Sequence, residues 1–146
     1  MNIPSKRPRI VLVDDHPAVL HQTIDLLAGE FEIVDVMEHG RTLLTTATKE
    51  RIDLIVLDIT LPGISGIEVA ACLKQAGCSA KIVFLTVHAD ADYAREAFEV
   101  GGLAYVVKPR LASDLIPALR SALAGKRFVS PCAELDELSP AASVNK

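Results

Sequence analysis

Two rhythms of apolar and polar residues alternate along this chain. Short runs rich in β-branched residues read as strands, and stretches whose apolar residues recur three or four positions apart read as helices. Arg9 to Val13, RIVLV, opens the series and runs at once into DDHP. Leu20, Ile24, Leu27 and Ala28 then repeat at helical spacing until Gly29, with Pro17 suited to a first helical turn. Phe31 to Met37 alternates apolar with acidic residues, which predicts a more exposed strand nearer an edge. A helix from about Arg41 to Glu50 carries Leu43, Leu44 and Ala47. Leu54 to Leu57 is continuously apolar, as expected of a strand covered on both faces at the centre of a parallel sheet. Ile67, Val69, Ala70, Leu73 and Ala76 mark the next helix, closed by Gly77. Lys81 to Val87 is another buried strand, and Asp90 or Ala91 to Val100 a helix that Gly101 and Gly102 end. Leu103 to Val107 is the fifth strand and stops at Lys108 and Pro109. The last helix, Leu111 to Ala124, places Leu115, Ile116, Leu119 and Leu123 on one side and Pro117 towards its start, with Gly125 as the stop.

Five β-α units in strict alternation predict one domain, an α/β doubly wound five-stranded parallel sheet with helices on both faces, because right-handed crossovers deliver that arrangement. Residues 1–8 are expected to be an N-terminal extension, 9–125 the domain, and 126–146 a linker or disordered tail. In such a sheet, ligands bind in the crevice at the carboxyl ends of the strands. Asp14 and Asp15 follow the first strand, Asp58 the third and Lys108 the fifth, while Thr86 stands near the end of the fourth. The fold therefore gathers them. The loop from Thr60 to Gly66, with a proline and two glycines, holds Asp58 on a turn.

Three crowded carboxylates repel one another, so the cluster is stable only with an offsetting cation or a bound proton. An oxygen-rich set completed by water suits Mg2+. A lysine and a hydroxyl beside it supply the point charge and donor that a tetrahedral phosphoryl group needs. Such a site could phosphorylate its own aspartate. Singly, each residue has a plainer reading: Asp14 or Asp15 as a helix cap, Asp58 as an acid opening a turn, Thr86 as a strand residue, Lys108 as a solvated loop lysine. Their joint placement at the ends of four strands favours the site.

Composition narrows the remaining classes. The chain has 146 residues, half of them hydrophobic, with four Phe, two Tyr and no Trp, so stacking platforms for single-stranded nucleic acid are lacking. A net charge of -4 argues against nucleic-acid binding by this chain alone. Cys72, Cys78 and Cys132 show no C-x-x-C spacing and are expected to be free thiols. Neither an apolar leader region nor a membrane-length apolar run is seen, and a cytoplasmic location is expected. His16, His21 and His39 show no helical metal-ligand pairing and are expected to be capping or surface residues.

The motifs VDDHP, LDITLPGISG, FLTVHAD and YVVKPR, in that order and spacing, give the stretch from about Arg9 to Ala124 the look of a response-regulator receiver domain of bacterial two-component signalling. The resemblance implies a flavodoxin-like strand order 2-1-3-4-5 and Asp58 as acceptor of a phosphoryl group from a sensor histidine kinase or phosphotransfer protein. It implies Mg2+ held directly by Asp15, Asp58 and the backbone carbonyl of Thr60, with Asp14 acting through water. By the same resemblance Lys108 pairs with Asp58 and then with the phosphoryl oxygens, Thr86 and Tyr105 form the switch, and Thr60 and His88 tune the phosphoryl lifetime. A cis Lys108-Pro109 bond and a phosphorylation-dependent homodimer through the face of the fourth helix, fifth strand and fifth helix are further implications.

VDDHP and DLIPALRSALAGKRFVSP resemble most the subgroup in which a nitrate-regulator or nitrogen-fixation-regulator type helix-turn-helix follows the receiver. Here AELDELSPAASVNK is too short for that output. A receiver cut from a longer regulator and a natural single-domain regulator both remain open. A phosphohydrolase is disfavoured because Thr60 stands where a second acid is needed, and a flavin carrier because DDHPAV lacks a phosphate-cradling Ser, Thr and Gly run. A phosphate-independent interaction module is disfavoured because all five site residues are present.

Overall fold

The computed structural model describes residues 7–131. Residues 1–6 of the expected 1–8 extension and residues 132–146 of the expected 126–146 tail, with Cys132, lie outside the described residues. Six strands, β1 (Arg9–Val13), β2 (Glu32–Met37), β3 (Leu54–Leu57), β4 (Lys81–Thr86), β5 (Gly102–Val107) and β6 (Phe128–Val129), form one sheet in the order β2-β1-β3-β4-β5-β6. Every pairing is parallel. The helices are α1 (Pro17–Leu27), α2 (Gly40–Thr46), α3 (Gly66–Gln75), α4 (Ala91–Glu99) and α5 (Leu111–Leu123).

Strand side chains alternate between two cores. Ile10, Leu12, Leu54, Val56, Val83 and Leu85 pack with Leu115, Ala118 and Leu119 of α5 and Leu27 of α1. Val11, Val13, Ile55, Leu57 and Phe84 pack on the opposite face with Leu43 of α2, Val69 of α3 and Ala94 of α4. A continuous apolar run such as LIVL thus buries both faces of β3. β2, alternating and half exposed, is an edge strand. Cys72 and Cys78 are free thiols.

Four features differ from the expectations. The sheet has a sixth strand, because Phe128 and Val129 pair with Ala104 and Tyr105, so the stretch just beyond Gly125 belongs to the domain. α2 ends at Thr46, short of Glu50. Pro117 sits in the middle of α5, exposed, with its apolar neighbours Leu115, Ala118 and Leu119 holding the helix on the sheet. The Lys108-Pro109 bond is trans, and no cis peptide occurs among the described residues. Lys108–Arg110 form a 3₁₀ turn that leads straight into α5, a course open to the ordinarily preferred trans isomer.

Candidate functional site

Asp58 lies just past β3, with its side chain 2% exposed. Its amide donates to the Val13 carbonyl (3.0 Å), which fixes the end of β3 against β1. Its two carboxylate oxygens are held separately: Oδ1 accepts from the Ile59 amide (2.7 Å) and Oδ2 from Lys108 Nζ (2.9 Å). The loop beyond folds tightly because the Gly66 amide donates to the Ile59 carbonyl (2.7 Å). A Cβ on Gly66 would overlap the Asp58 carbonyl oxygen, so only glycine permits this closure. Ser65 then caps α3 in a reciprocal pair with Glu68, anchoring the loop's far end.

Asp14 and Asp15 approach from β1. The Asp14 amide donates to the Met37 carbonyl (3.0 Å), and Asp14 Oδ1 accepts from the His16 amide (2.9 Å), turning the chain into α1. Lys108 crosses from the end of β5 with a side chain only 6% exposed. Its Nζ stands 2.9 Å from both Asp14 Oδ2 and Asp58 Oδ2. Residues more than ninety positions apart thus meet, two buried carboxylates against one ammonium, with the half-buried Asp15 beside them.

His16 belongs to this cluster too. It occupies the N-cap position of α1, as a capping role would require, yet its side chain makes no cap bond. Instead Nδ1 lies 2.9 Å from Asp14 Oδ1, 3.3 Å from Asp15 Oδ1 and 2.9 Å from Lys108 Nζ. One ring nitrogen cannot donate to Asp14 and accept from Lys108 at once, so the tautomer decides which bond exists. Sequence spacing misses this because no second histidine accompanies it. Its place directly after two acids at a strand end was the available signal.

The switch and lifetime candidates form a second tier around His88. The fully buried Thr86 hydroxyl accepts from the His88 amide (3.4 Å). Tyr105, fully buried and so turned inward, donates its hydroxyl to the His88 carbonyl (2.7 Å). The His88 ring stacks on Tyr93 of α4, with centroids 4.3 Å apart, and Nε2 meets Thr60 Oγ1 at 2.7 Å. One loop residue therefore ties together the β3-α3 loop, α4 and β5.

A small divalent cation fits the donor set. One ligand atom each from Asp14, Asp15, His16 and Asp58 lies within 4.8 Å of the others. Asp14 Oδ2 and Asp15 Oδ1 are buried oxygens without a hydrogen-bond partner, Lys108 approaching Asp14 only as an ion pair. Buried carboxylate oxygens without a hydrogen-bond partner are costly until a hard cation engages them.

The family model of the response regulator receiver domain matches residues 10–120. The chain belongs to this family. The receiver is 33% identical over 117 residues to the positive alginate biosynthesis regulatory protein of Pseudomonas aeruginosa, covering 77% of this chain and 46% of that protein. It is 33% identical over 105 residues to the transcriptional regulatory protein DesR of Bacillus subtilis, covering 72% and 52%. The receiver thus spans about half the length of these curated relatives. Among solved structures, a two-component response regulator of the LuxR family from Aurantimonas sp. SI85-9A1 superposes with a TM-score of 0.84 at 32% identity, covering 90% of this chain and 97% of that one. Among the described residues, no helix is long and apolar enough to cross a membrane.

Proposed function

We propose that Asp58 accepts a phosphoryl group from a sensor histidine kinase or phosphotransfer protein, in a reaction that depends on Mg2+. The observation that carries this reading is the Asp58 carboxylate, buried at the end of the central strand with one oxygen on the Ile59 amide and the other on Lys108. These two bonds fix the carboxylate in place as the nucleophile. Its oxygen forms a bond to phosphorus as the bond to the donor imidazole nitrogen breaks, the imidazole leaving with the electron pair. Phosphoryl transfer needs positioning and charge neutralisation far more than a protein base. Asp15, Asp58 and the Thr60 carbonyl would hold Mg2+, with Asp14 acting through water. The bound cation would offset the charge on the phosphoryl oxygens.

The Lys108 ammonium, already 2.9 Å from Asp58, is placed to pass from the free carboxylate to a phosphoryl oxygen. Thr86 supplies a hydroxyl for another. Moving it off the His88 amide disturbs the loop that the Tyr105 hydroxyl holds, so a phosphoryl group has different contacts in the two arrangements and shifts their populations. The Thr60 to His88 bridge screens the approach of water and sets the phosphoryl lifetime. Beyond its own phosphorylation and dephosphorylation the receiver is a signalling domain of the cytoplasm. With regulators about twice its length as relatives, one of them a transcriptional regulatory protein, its output is control of transcription.

The test is amide NMR with beryllofluoride and Mg2+. Shifts at Asp58, Thr86, His88, Tyr105 and Lys108, absent in Asp58→Asn, are expected. An unchanged spectrum in wild type with saturating Mg2+ would overturn the assignment.

A further inference from the structure

β6 is too short to be held by its backbone pairing with β5 alone. The ladder bond from the Ser130 amide to the Tyr105 carbonyl (2.9 Å) is supplemented at two further points: the Arg127 guanidinium lies 4.5 Å above the Phe98 ring of α4, and Ser130 Oγ reaches a buried carboxylate on α5. That carboxylate is Asp114, 5% exposed, on a helix face otherwise occupied by Leu111, Leu115, Ala118 and Leu119. An acid here would be costly without partners, and it has a full set. Ser130 Oγ donates to Asp114 Oδ2 (2.8 Å), Arg110 Nε donates to the same oxygen (2.7 Å), and Ser113 Oγ donates to Oδ1 (2.9 Å).

The network closes around Lys108. Ser130 Oγ spends its one proton on Asp114 and accepts from the Val107 amide (3.2 Å), the residue immediately before Lys108. Arg110, two residues after Lys108, is bound to Asp114 through two guanidinium nitrogens. The chain on both sides of the lysine is therefore pinned to one carboxylate, and one of the pins is supplied by the segment beyond α5. Capping the open edge of β5 would need only backbone pairing, not a buried Ser130 to Asp114 to Arg110 chain.

We propose that Ser130, Asp114 and Arg110 are positioning residues for Lys108, so that the segment after α5 is part of the phosphoryl-site machinery and is coupled to its state. The proposal rests on the reading of Asp58 and Lys108 given above. Lys108 must keep its ammonium in reach of both Asp14 and Asp58, and small misplacements of a charged group cost phosphoryl transfer steeply. Because coupling is reciprocal, a group bound at Asp58 that draws on Lys108 must also change the hold on Ser130.

The experiment uses the full chain with acetyl phosphate and Mg2+. For Ser130→Ala and Asp114→Asn, the maximal phosphorylation rate is expected to fall about 10-fold. The ammonium stays among the carboxylates in these variants, so Mg2+ affinity is expected to change less than it does when the Lys108 charge is removed. A companion measurement on wild type follows hydrogen exchange of the Val129 and Ser130 amides with and without beryllofluoride, and a change in protection is expected. Folded variants with wild-type rates would overturn the proposal, and so would exchange at 129–130 that beryllofluoride leaves unaltered. Should a variant not fold, the wild-type exchange measurement decides alone. Failure of wild type to take up phosphoryl at all would instead overturn the reading of Asp58, and the positioning role with it.

Discussion

Replacing Lys108 with methionine probes the electrostatics of the cluster with little loss of packing, since methionine retains most of the aliphatic stem. The ammonium lies 2.9 Å from Asp14 Oδ2 and 2.9 Å from Asp58 Oδ2, with all three side chains at most 6% exposed. Removing one partner of a buried ion pair leaves uncompensated charge and costs about 3–5 kcal/mol. Against a total stability of about 5–15 kcal/mol, the variant stays folded but nearer its margin. At roughly 3–5 °C per kcal/mol for a domain of this size, its melting point in chelator should fall by about 10 °C or more. Loss of the competing ammonium also favours cation binding, so Mg2+ should raise the melting point more in Lys108→Met than in wild type. Mg2+ at a hundredfold excess over its dissociation constant stabilises by about 2.7 kcal/mol. Asp58→Asn in the Lys108→Met background should recover part of the loss by removing one crowded carboxylate. Urea and thermal unfolding with chelator or Mg2+ measure all three. Equal midpoints for Lys108→Met and wild type in chelator, or equal Mg2+ shifts, would refute this view of the cluster.

Two further predictions concern the scaffold. Burial raises the Asp114 carboxyl pKa, but hydrogen bonds from Arg110, Ser130 and Ser113 and the Arg110 charge outweigh it and hold the group below its usual 3.8. A depressed folded value stabilises fully above the unfolded value and is lost as pH falls through the folded one. Acid unfolding below about pH 3.8 should therefore be shallower in Asp114→Asn than in wild type, and parallel curves would exclude this linkage. Gly66→Ala should destabilise by about 2–3 kcal/mol and slow phosphorylation, because its Cβ meets the backbone of Asp58 and Ile59. Gly29→Ala is the control, with nothing within 4 Å of its Cβ, and denaturant midpoints compare the two.

The β-α alternation and the four strand ends were legible in the sequence because period and position carry them. LIVL marks the centre of the sheet, the alternating FEIVDVM its edge, and each candidate acid or base directly follows an apolar run. What escaped depends on contacts between distant residues. Phe128 and Val129 are too few to show a period, and their strand exists through Ser130 and its buried partner Asp114. Asp114 itself reads as an ordinary acid in the first turn of α5. His16 reads as a helix-start residue and is one in backbone terms, but the fold turns its ring onto carboxylates from two strands. The trans Lys108-Pro109 bond corrects an implication of the family resemblance, not of any residue pattern.

Intact-mass spectrometry after incubation with acetyl phosphate and Mg2+, comparing wild type with Asp58→Asn, tests the phosphoacceptor assignment most directly. One added phosphoryl group in wild type, absent in Asp58→Asn and abolished by chelator, is the expected result. Folded wild type that binds Mg2+ but gains no phosphoryl mass, even with a cognate kinase, would contradict it, as would equal modification of Asp58→Asn.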